Sequence, residues 1–569
     1  MIPNSVIQLA RFCKELGLIH FVVSPGSRSA PVLLALHRIG GIKLHTVMDE
    51  RSAGFTALGL SLSLQKPVGL LCTSGSAVLN YGPAIAEAFY QQVPLFITTA
   101  DRPPEMIDQN EGQAIRQNFL FQAHTKFSAV LPSLDNSEEA GIHTKRILNR
   151  AWFEANQFPK GPVHINVPLR EPLYPEGEID FSGPVNNFKL VSGRKELDRY
   201  ALSDLIETWN KTEKRLVIVG QLKPGWDLRN ALKALAEYSQ ALVLGDCTNN
   251  LLGFNGLISN ADSFAKEFWE KDDIKPDLII TIGNGLLSKS VKQFLKNLQP
   301  RVHWHIQEAS FPADPFGSIT KLIHADPEWL ITKLGEGAFF LNNTEDSQAS
   351  VFNKTWQAAD KIAGLAVNQF YESCNWSDLK AVGYLIKNLP EKVVLFLGNS
   401  MPIRYANWFA GNLNVGQQIF ANRGTSGIDG CVSTAVGLAI GNPELPVVCL
   451  VGDMSFFYDR NGIWKDAIPS NLKFFVLNNG GGNIFRIIPG SSQVPELESL
   501  FEMNQPFSAK RTSEDAGLSY WLAESFSDLE TQFSSFLESK NATLLECKTD
   551  KYQNAAVVKS LKEWINQKK

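Results

Sequence analysis

The sequence predicts an α/β protein made of three doubly wound domains, each built around a parallel sheet. Its 569 residues exceed what one hydrophobic core organises, and a prior of roughly 100–200 residues per domain indicates three or four units. Short apolar runs alternate with segments of helical length, and polar stretches separate the runs into three groups. An uninterrupted apolar run is typical of a strand that helices cover on both faces of a parallel sheet.

The first group of runs predicts an N-terminal domain over residues 1–180. Its strands begin at four points of the chain, which are His20, Pro67, Val93 and Val163. A segment of helical length from Ser52 to Leu64 lies between the first two runs. A stretch rich in Pro, Gly and Asn from Tyr174 to Asn187 has no periodicity and predicts the linker that ends the domain.

Two further groups predict a central domain over residues 195–340 and a C-terminal domain over residues 355–569. The central runs begin at Leu216, Leu242, Leu278 and Val302. A polar stretch from Asn342 to Ser350 separates the two groups. The C-terminal runs begin at Val393, Val447 and Ala542, and one more ends at Asn479. Three α/β domains of similar size are the simplest interpretation.

Composition and cysteine usage narrow the class of protein. A net charge of −4 argues against duplex nucleic acid as a partner, because binding it relies on a basic face. The seven cysteines are widely spaced and include no Cys-x-x-Cys pair, which favours reduced thiols over disulfides or a zinc site. The N-terminus has no apolar signal core, and no run reaches 18 apolar residues. We therefore expect a cytoplasmic protein with no membrane span.

Two motifs in the C-terminal domain predict a metal site. An apolar run ends in Gly452-Asp453, and another ends in Asn479-Gly-Gly481, 26 residues later (479 minus 453). Two parallel strands joined by a helix would bring a carboxylate, an amide and a backbone carbonyl to one point. Such hard oxygen donors suit Mg²⁺, which usually completes its shell with phosphate oxygens and water, and Mn²⁺ also accepts them. Gly-Asp alone is also typical of a helix N-cap.

This pair of motifs resembles the diphosphate-anchoring signature of thiamine-diphosphate (ThDP) enzymes. Met454 stands where that signature usually has a glycine. The resemblance implies the fold of these enzymes, with ThDP as the cofactor and Asp453, Asn479 and the Gly481 carbonyl as metal ligands. It also implies that Ser400 and Ser455 donate hydroxyl groups to the diphosphate, and that Ile428 bends the cofactor.

An acid in the N-terminal domain fits the same class. Asp49 and Glu50 lie between a strand and an amphipathic helix, where an α/β sheet presents functional groups. Helix capping would also explain them, because acids are favoured at helix N-termini. By resemblance, Glu50 is the glutamate that activates ThDP, and an apolar site would raise its pKa. The resemblance places acid and metal in different subunits, so a homodimer is the minimum unit and a homotetramer stays open.

Arginines in Gly/Pro/Ser-rich loops at predicted strand ends suggest anionic substrates. A guanidinium group can bind a carboxylate through two hydrogen bonds, and several together point to polyanions. The loops contain five such residues: Arg28, Arg102, Arg116, Arg404 and Arg423.

Four longer strings resemble the 2-succinyl-5-enolpyruvyl-6-hydroxy-3-cyclohexene-1-carboxylate (SEPHCHC) synthase family of menaquinone biosynthesis. They begin at Ser24, Ala100, Gly161 and Asn422. In that family, 2-oxoglutarate loses CO₂ and its succinyl semialdehyde carbanion equivalent adds to isochorismate. Matched residues imply that Arg404 and Arg423 bind the donor's distal carboxylate and act in catalysis. The others contact isochorismate or line the reacting carbon: Ser27, Arg28, Arg102, Gln113, Lys289, Ile484, Phe485 and Ile488.

One position departs from the family, and two alternatives stay open. The family often carries a Lys-Arg pair where this chain has Lys289-Ser290, so a second cation for isochorismate is in question. An acetolactate-synthase-like enzyme, or another 2-oxo acid decarboxylase or carboligase on the same fold, is the first alternative. The second is a cofactor-binding assembly protein without activity. Pyruvate would need few of the arginines, and retention of Glu50, Asp453 and Asn479 argues against an inactive protein.

Overall fold

A computed structural model describes residues 2–174, 177–182, 187–225, 228–298, 300–337, 347–464, 467–488 and 490–568. It contains three six-stranded sheets in which every strand pairing is parallel. The sheets occupy 20–168, 215–324 and 393–548. The predicted fold class is therefore confirmed, while the domain limits at 1–180, 195–340 and 355–569 stay predictions. The predicted linker residues 175–176, 183–186 and 342–346 lie outside the described part of the chain.

The first sheet has the strand order β2-β1-β3-β4-β6-β5. Its strands are β1 (His20–Val23), β2 (Lys43–Thr46), β3 (Val68–Cys72), β4 (Leu95–Asp101), β5 (Phe127–Val130) and β6 (Val163–Pro168). Its helices are α1 (Asn4–Glu15), α2 (Ala30–Arg38), α3 (Glu50–Leu64), α4 (Ser76–Leu79), α5 (Gly82–Tyr90) and α6 (Glu138–Asn156). The order reverses between β1 and β3, so a crevice opens beyond their carboxyl ends.

The central sheet has the strand order β12-β11-β10-β7-β8-β9, which reverses between β10 and β7. Its strands are β7 (Arg215–Val219), β8 (Leu242–Gly245), β9 (Leu257–Ile258), β10 (Leu278–Ile282), β11 (Val302–Gln307) and β12 (Lys321–His324). Its helices are α7 (Arg199–Asn210), α8 (Arg229–Ser239), α9 (Lys289–Leu298) and α10 (Pro327–Glu336).

The third sheet has the order β14-β13-β15-β16-β18-β17, which repeats the pattern of the first sheet. Its strands are β13 (Val393–Leu397), β14 (Gln417–Phe420), β15 (Val447–Gly452), β16 (Leu472–Asn478), β17 (Ser519–Ala523) and β18 (Thr543–Lys548). Its helices are α11 (Gln348–Ser373), α12 (Asp378–Lys387), α13 (Met401–Trp408), α14 (Cys431–Gly441), α15 (Asp453–Tyr458), α16 (Ile484–Ile487), α17 (Lys510–Asp515), α18 (Phe526–Glu538) and α19 (Lys551–Gln567).

The first and third sheets meet through the close packing of α3 on α14. A Cβ atom at Gly59 would lie 2.0 Å from the Thr434 carbonyl oxygen, and one at Gly437 would lie 2.1 Å from the Thr56 carbonyl oxygen. Only glycine permits this approach, because real Cβ atoms do not come so near a backbone oxygen. The buried residues of both helices belong to one hydrophobic core that continues through the two sheets. This contact fixes the start of α3 relative to the third domain.

Helix α11 joins the central and third cores. Its Phe352 and Trp356 are buried with the central domain, whereas Val367 and Tyr371 are buried with the third. The described part of the chain contains no helix long and apolar enough to cross a membrane.

Candidate active site

Asp453 is the buried acid at the carboxyl end of β15, where it begins α15. Its side chain is 2% exposed, and burial raises its pKa to about 7. One carboxylate oxygen accepts the Met454 N–H at 2.7 Å, and the other accepts the Gly480 and Gly481 N–H groups at 2.9 Å. The Gln505 side-chain amide donates to the same oxygen at 2.7 Å. Every one of these donors is neutral, so the carboxylate charge has no cationic partner in the described chain.

Asn479 presents a buried oxygen at the same edge of the sheet. Strand β16 pairs in parallel with β15, so the residues that follow the two strands are neighbours. The Asn479 amide nitrogen donates to Asp378 Oδ2 at 2.8 Å, which fixes the orientation of the side chain. Its Oδ1 atom is buried and has no hydrogen-bond partner among the described residues. A buried unpaired acceptor is costly, and a cation would satisfy it.

The loop after Asn479 is shaped by glycines. Gly480 and Gly481 have φ angles of 80° and 151°, and a Cβ at Gly481 would lie 2.7 Å from the Glu502 carbonyl oxygen. The described residues contain no cluster of three or more His, Cys, Asp or Glu side chains arranged for a metal. A single acid, the unpaired amide oxygen and a glycine-lined backbone instead form a donor set of the kind that Mg²⁺ shares with phosphate oxygens and water. The residues present therefore fit a magnesium diphosphate.

Glu50 is available for chemistry because its neighbour performs the capping. The Asp49 side chain accepts the Arg51 and Ser52 N–H groups at the start of α3. Glu50 is half-buried, and desolvation, with a smaller contribution from Asp49, raises the pKa of its carboxyl group. Helix capping therefore explains Asp49, whereas the role of Glu50 in activating the cofactor stays a prediction. An acid whose pKa is raised by burial can hold and share a proton.

The start of α3 contacts the segment that follows Asp453 in the same chain. Arg51 donates to the Tyr458 carbonyl oxygen at 2.7 Å, and its guanidinium lies 4.6 Å from the centre of the Tyr458 ring. The Asn461 amide donates to Asp49 at 2.9 Å. Tyr458 is the last residue of the helix that Asp453 begins. The two predicted cofactor-binding elements are thus tied together by direct contacts.

A loop between β14 and α14 carries Ile428 and Arg423 and is held by the first domain. The buried Glu87 carboxylate accepts the Gly424 N–H at 2.7 Å and both the N–H and hydroxyl of Thr425 at 2.6 and 2.7 Å. Gly430, with φ 72°, follows the loop, and a Cβ there would overlap the Phe55 ring. Ile428 itself is 38% exposed, so its side chain is open to a ligand.

Arg423 and Arg404 form a cationic pair at the third domain. Arg423 donates to Asn399 Oδ1 at 2.9 Å, and the Asn399 amide binds the carbonyl oxygens of Asn422 and Gly427. Arg404 donates back to the carbonyl oxygen of Ser400, which has φ 72° at the start of α13. Burial and the charge of Arg423 lower the pKa of Arg404. Neither arginine has an ion-pair partner among the described residues, so both are available to an anion.

A second cationic group lies at the carboxyl ends of β1 and β4. The buried Arg28 donates to the Leu169 carbonyl oxygen at 3.0 Å and to Glu171 at 3.4 Å. Burial and the charge of Arg102 lower its pKa, and Arg102 donates to the Gly112 carbonyl oxygen at 2.7 Å. The exposed Ser27 and Gln113 flank this pair: Ser27 precedes Arg28, and Gln113 follows Gly112 with φ 56°.

The other predicted residues have different surroundings. Ser455 is buried, and its hydroxyl hydrogen-bonds the Cys431 thiol. Ile484 and Phe485 are half-buried on α16, and Ile488 is exposed just after it. Arg116 is 82% exposed and pairs with Asp108, so it does not join the cationic groups. Lys289 is exposed, and its side chain makes no ion pair with any described residue.

Several residues of the site carry no recognisable motif. Glu87 holds the Arg423 loop, Asp378 orients Asn479, and Gln505 binds Asp453. Asn399 links two loops, and Lys292 lines a cavity together with Arg423. Each of these residues either is distant in sequence from the residue it supports or belongs to no recognisable motif. Burial of an acid or amide cannot be deduced from composition. These positions emerge only when the three sheets are packed.

The fold and this site define the class of protein as a thiamine-diphosphate-dependent enzyme. Residues 6–120 match the family described as "Thiamine pyrophosphate enzyme, N-terminal TPP binding domain". That region includes Glu50 and the first-domain arginines. The match agrees with three parallel α/β domains and with the magnesium diphosphate that the Asp453 site fits.

The chain belongs to the family of 2-succinyl-5-enolpyruvyl-6-hydroxy-3-cyclohexene-1-carboxylate synthases. It is 38% identical to the synthase of Cytophaga hutchinsonii, with 97% of each chain covered. Identity to the synthase of Christiangramia forsetii is 36%, covering 98% of this chain and 97% of that one. Identity to the synthase of Bacteroides thetaiotaomicron is 33%, with 99% of each chain covered. The predicted family and its ThDP-dependent carboligase class are thereby confirmed.

Proposed function

We propose that this protein removes CO₂ from 2-oxoglutarate and joins the remaining four-carbon unit to isochorismate, giving SEPHCHC in menaquinone biosynthesis. The observation that carries the proposal is the pair of cationic groups. Arg404 and Arg423 lie in the third domain without an ion-pair partner, and Arg28 and Arg102 lie together in the first. Both substrates are dicarboxylates, so two separate groups of guanidinium donors match two anions.

Magnesium and the cofactor would be held by the residues of the third domain. Asp453, Asn479 Oδ1 and the Gly481 carbonyl would bind Mg²⁺, with Ser400 and Ser455 at the diphosphate and Ile428 beside the ring system. Bound ThDP supplies an electron sink for decarboxylation and carbon–carbon bond formation. The unpaired Asn479 oxygen and the uncompensated Asp453 charge support this assignment. The sites for Mg²⁺ and Mn²⁺ would be the same.

Glu50 would provide the proton that the cofactor needs. Because its pKa is raised, the Glu50 carboxyl group keeps its proton to a higher pH than an ordinary glutamate does. The Asp49 cap fixes the helix without consuming the Glu50 carboxylate. Ser27, Gln113 and Lys289 would orient isochorismate with the first-domain arginines. Ile484, Phe485 and Ile488 would exclude water from the reacting carbon.

We propose a homodimer as the minimum active unit. The segment 500–507 passes close to Gly481 and carries strongly exposed apolar side chains. Leu500 is 71% exposed, Met503 66% and Phe507 65%. Exposed apolar side chains clustered in one segment favour burial against another protein surface, and a second copy would cover them. Sedimentation equilibrium would test this, since a monomer would contradict it. The seven unpaired cysteines, six of them buried, support a cytoplasmic location.

The substrates are tested by mass spectrometry of the product. The protein is incubated with ThDP, Mg²⁺, 2-oxoglutarate and isochorismate, and the expected result is an adduct with release of CO₂. A parallel reaction omits isochorismate, and another replaces 2-oxoglutarate with pyruvate. A faster reaction with pyruvate, or no adduct with both proposed substrates, would overturn the proposal in favour of another carboligase.

A further inference from the structure

Lys292 lies at the meeting point of the central and third domains. It is the fourth residue of α9, which begins just after the carboxyl end of β10, where the central strand order reverses. The side chain is half-buried and lines a cavity of about 850 Å³ between the domains. Arg423 and Gly424 line the same cavity. Lys292 thus points toward the loop that the third domain uses for its cationic pair.

Two arginines and two acids of the described chain act on the charge of Lys292. Burial, followed by Arg423, lowers the pKa of Lys292, and Arg404 acts in the same direction. Asp246 and Asp262 oppose this effect. The side chain makes no ion pair within the described part of the chain. Lys292 and Arg423 therefore line one cavity, and Arg404 lies close enough to interact with the charges of both.

The two nearby acids are already engaged with neutral donors. Asp246 accepts the backbone and hydroxyl of Thr248 through one oxygen and the Leu287 N–H through the other. Asp262 accepts the Ser288 hydroxyl at 2.5 Å and the Asn407 amide at 3.0 Å. These bonds fix the positions of both acids. They balance part of the charge but leave the cationic side chains free to bind an incoming anion.

We propose that Lys292 is a third cationic contact for the distal carboxylate of the acyl donor, beside Arg404 and Arg423. The proposal deepens the function proposed above and depends on it. Among the residues proposed to bind substrate, Arg423 and Arg404 are those whose charges act on Lys292, whereas Arg102 acts on Arg28 in the first domain. Lys292 is therefore a residue of the donor site rather than of the isochorismate site. It provides a central-domain cation three residues after Lys289 on the same helix.

The test compares three variants in the holoenzyme with ThDP and Mg²⁺. Lys292→Met removes the charge, Lys292→Arg retains it, and Lys296→Met removes an exposed lysine one turn further along α9. Steady-state KM values are measured for each substrate separately. Glutarate, an unreactive five-carbon dicarboxylate, is titrated calorimetrically to measure donor-site binding without turnover.

The expected result is selective. Loss of a charge-assisted contact weakens binding by about tenfold or more, so Lys292→Met raises the KM for 2-oxoglutarate and the Kd for glutarate together. The KM of Lys292→Met for isochorismate stays near the wild-type value. Lys296→Met keeps wild-type values of the KM for 2-oxoglutarate and the Kd for glutarate. Every variant keeps the wild-type fold. Lys292→Arg recovers most of the loss.

Three outcomes overturn the assignment. In the first, Lys292→Met leaves both the KM for 2-oxoglutarate and the Kd for glutarate unchanged. In the second, it raises the KM for isochorismate alone. In the third, glutarate does not bind the wild-type holoenzyme. Failure of the proposed function is distinct, because wild type would then form no adduct from 2-oxoglutarate. If Lys292→Met unfolds, the glutarate Kd of Lys292→Gln decides the question.

Discussion

Replacing Asn479 with alanine separates two tasks that its side chain performs. The amide nitrogen donates to the buried Asp378, and the buried Oδ1 has no partner in the described chain. Losing the donor leaves a buried acceptor underbonded, which costs about 1–3 kcal/mol. This cost lowers the stability of the free protein and of the cofactor complex by the same amount. Loss of Oδ1 weakens only the complex with the cofactor, because that atom is the proposed metal ligand.

The magnitude for cofactor binding follows from the role of the lost atom. Removing a residue that merely orients a metal ligand typically costs about 10–100-fold in metal affinity. Loss of the ligand itself should cost at least this much, so we expect ThDP affinity at fixed Mg²⁺ to fall by about 100-fold or more. Raising the Mg²⁺ concentration should recover part of the binding. Isothermal titration with ThDP at two Mg²⁺ concentrations measures both effects.

Thr549→Val is the matched control. The Thr549 hydroxyl donates to the other oxygen of Asp378 at 2.6 Å and accepts the Asn554 amide at 3.0 Å. This variant therefore removes a comparable hydrogen bond to Asp378, together with the bond from Asn554, and no proposed ligand. Both variants should lower the melting temperature by about 2–4 °C per kcal/mol lost in a domain of this size. Only Asn479→Ala should weaken ThDP binding strongly. Equal weakening by both variants, or unchanged binding by Asn479→Ala, would refute the ligand assignment.

Three further predictions address the acid, the domain contact and the buried charge. Glu50→Gln should lower turnover by about 100-fold or more while ThDP binding with Mg²⁺ stays near wild type, and unchanged turnover would reject the role of the acid. Gly437→Ala places a Cβ 2.1 Å from the Thr56 carbonyl oxygen and should lower both the melting temperature and the ThDP affinity. Gly141→Ala should lower neither, because its Cβ meets only the ends of the Gln8 and Asn4 side chains. Burial raises the pKa of Asp459 from 3.8 to about 7, so the folded state binds its proton more tightly and stability falls as pH rises through that window. The melting temperature without cofactor should therefore drop less between pH values of about 5 and 8 in Asp459→Asn than in wild type, and an equal drop would contradict the raised pKa.

The central strands of each sheet could be predicted from sequence because they are buried on both faces. Strands β3 and β15, for example, are buried along most of their length and appear as unbroken apolar runs. The outer strands differ: β5 is half-buried at every residue and β12 at three of four, so neither shows such a run. The sequence also does not show that α11 serves two cores. Its apolar face continues without a break across the predicted boundary near residue 355.

By itself the sequence determined the fold class, the family and the local motifs, because each depends on residues close together in the chain. An apolar run followed by Gly-Asp or Asn-Gly-Gly specifies a strand end and its donors wherever the sheet is placed. Only the tertiary structure decided which remote groups complete the site. Glu87 reaches the loop of Arg423, Asp378 orients Asn479, and Lys292 joins the arginines. The physical reason is that burial, charge coupling and an unpaired oxygen depend on packing between elements hundreds of residues apart, which local patterns do not encode.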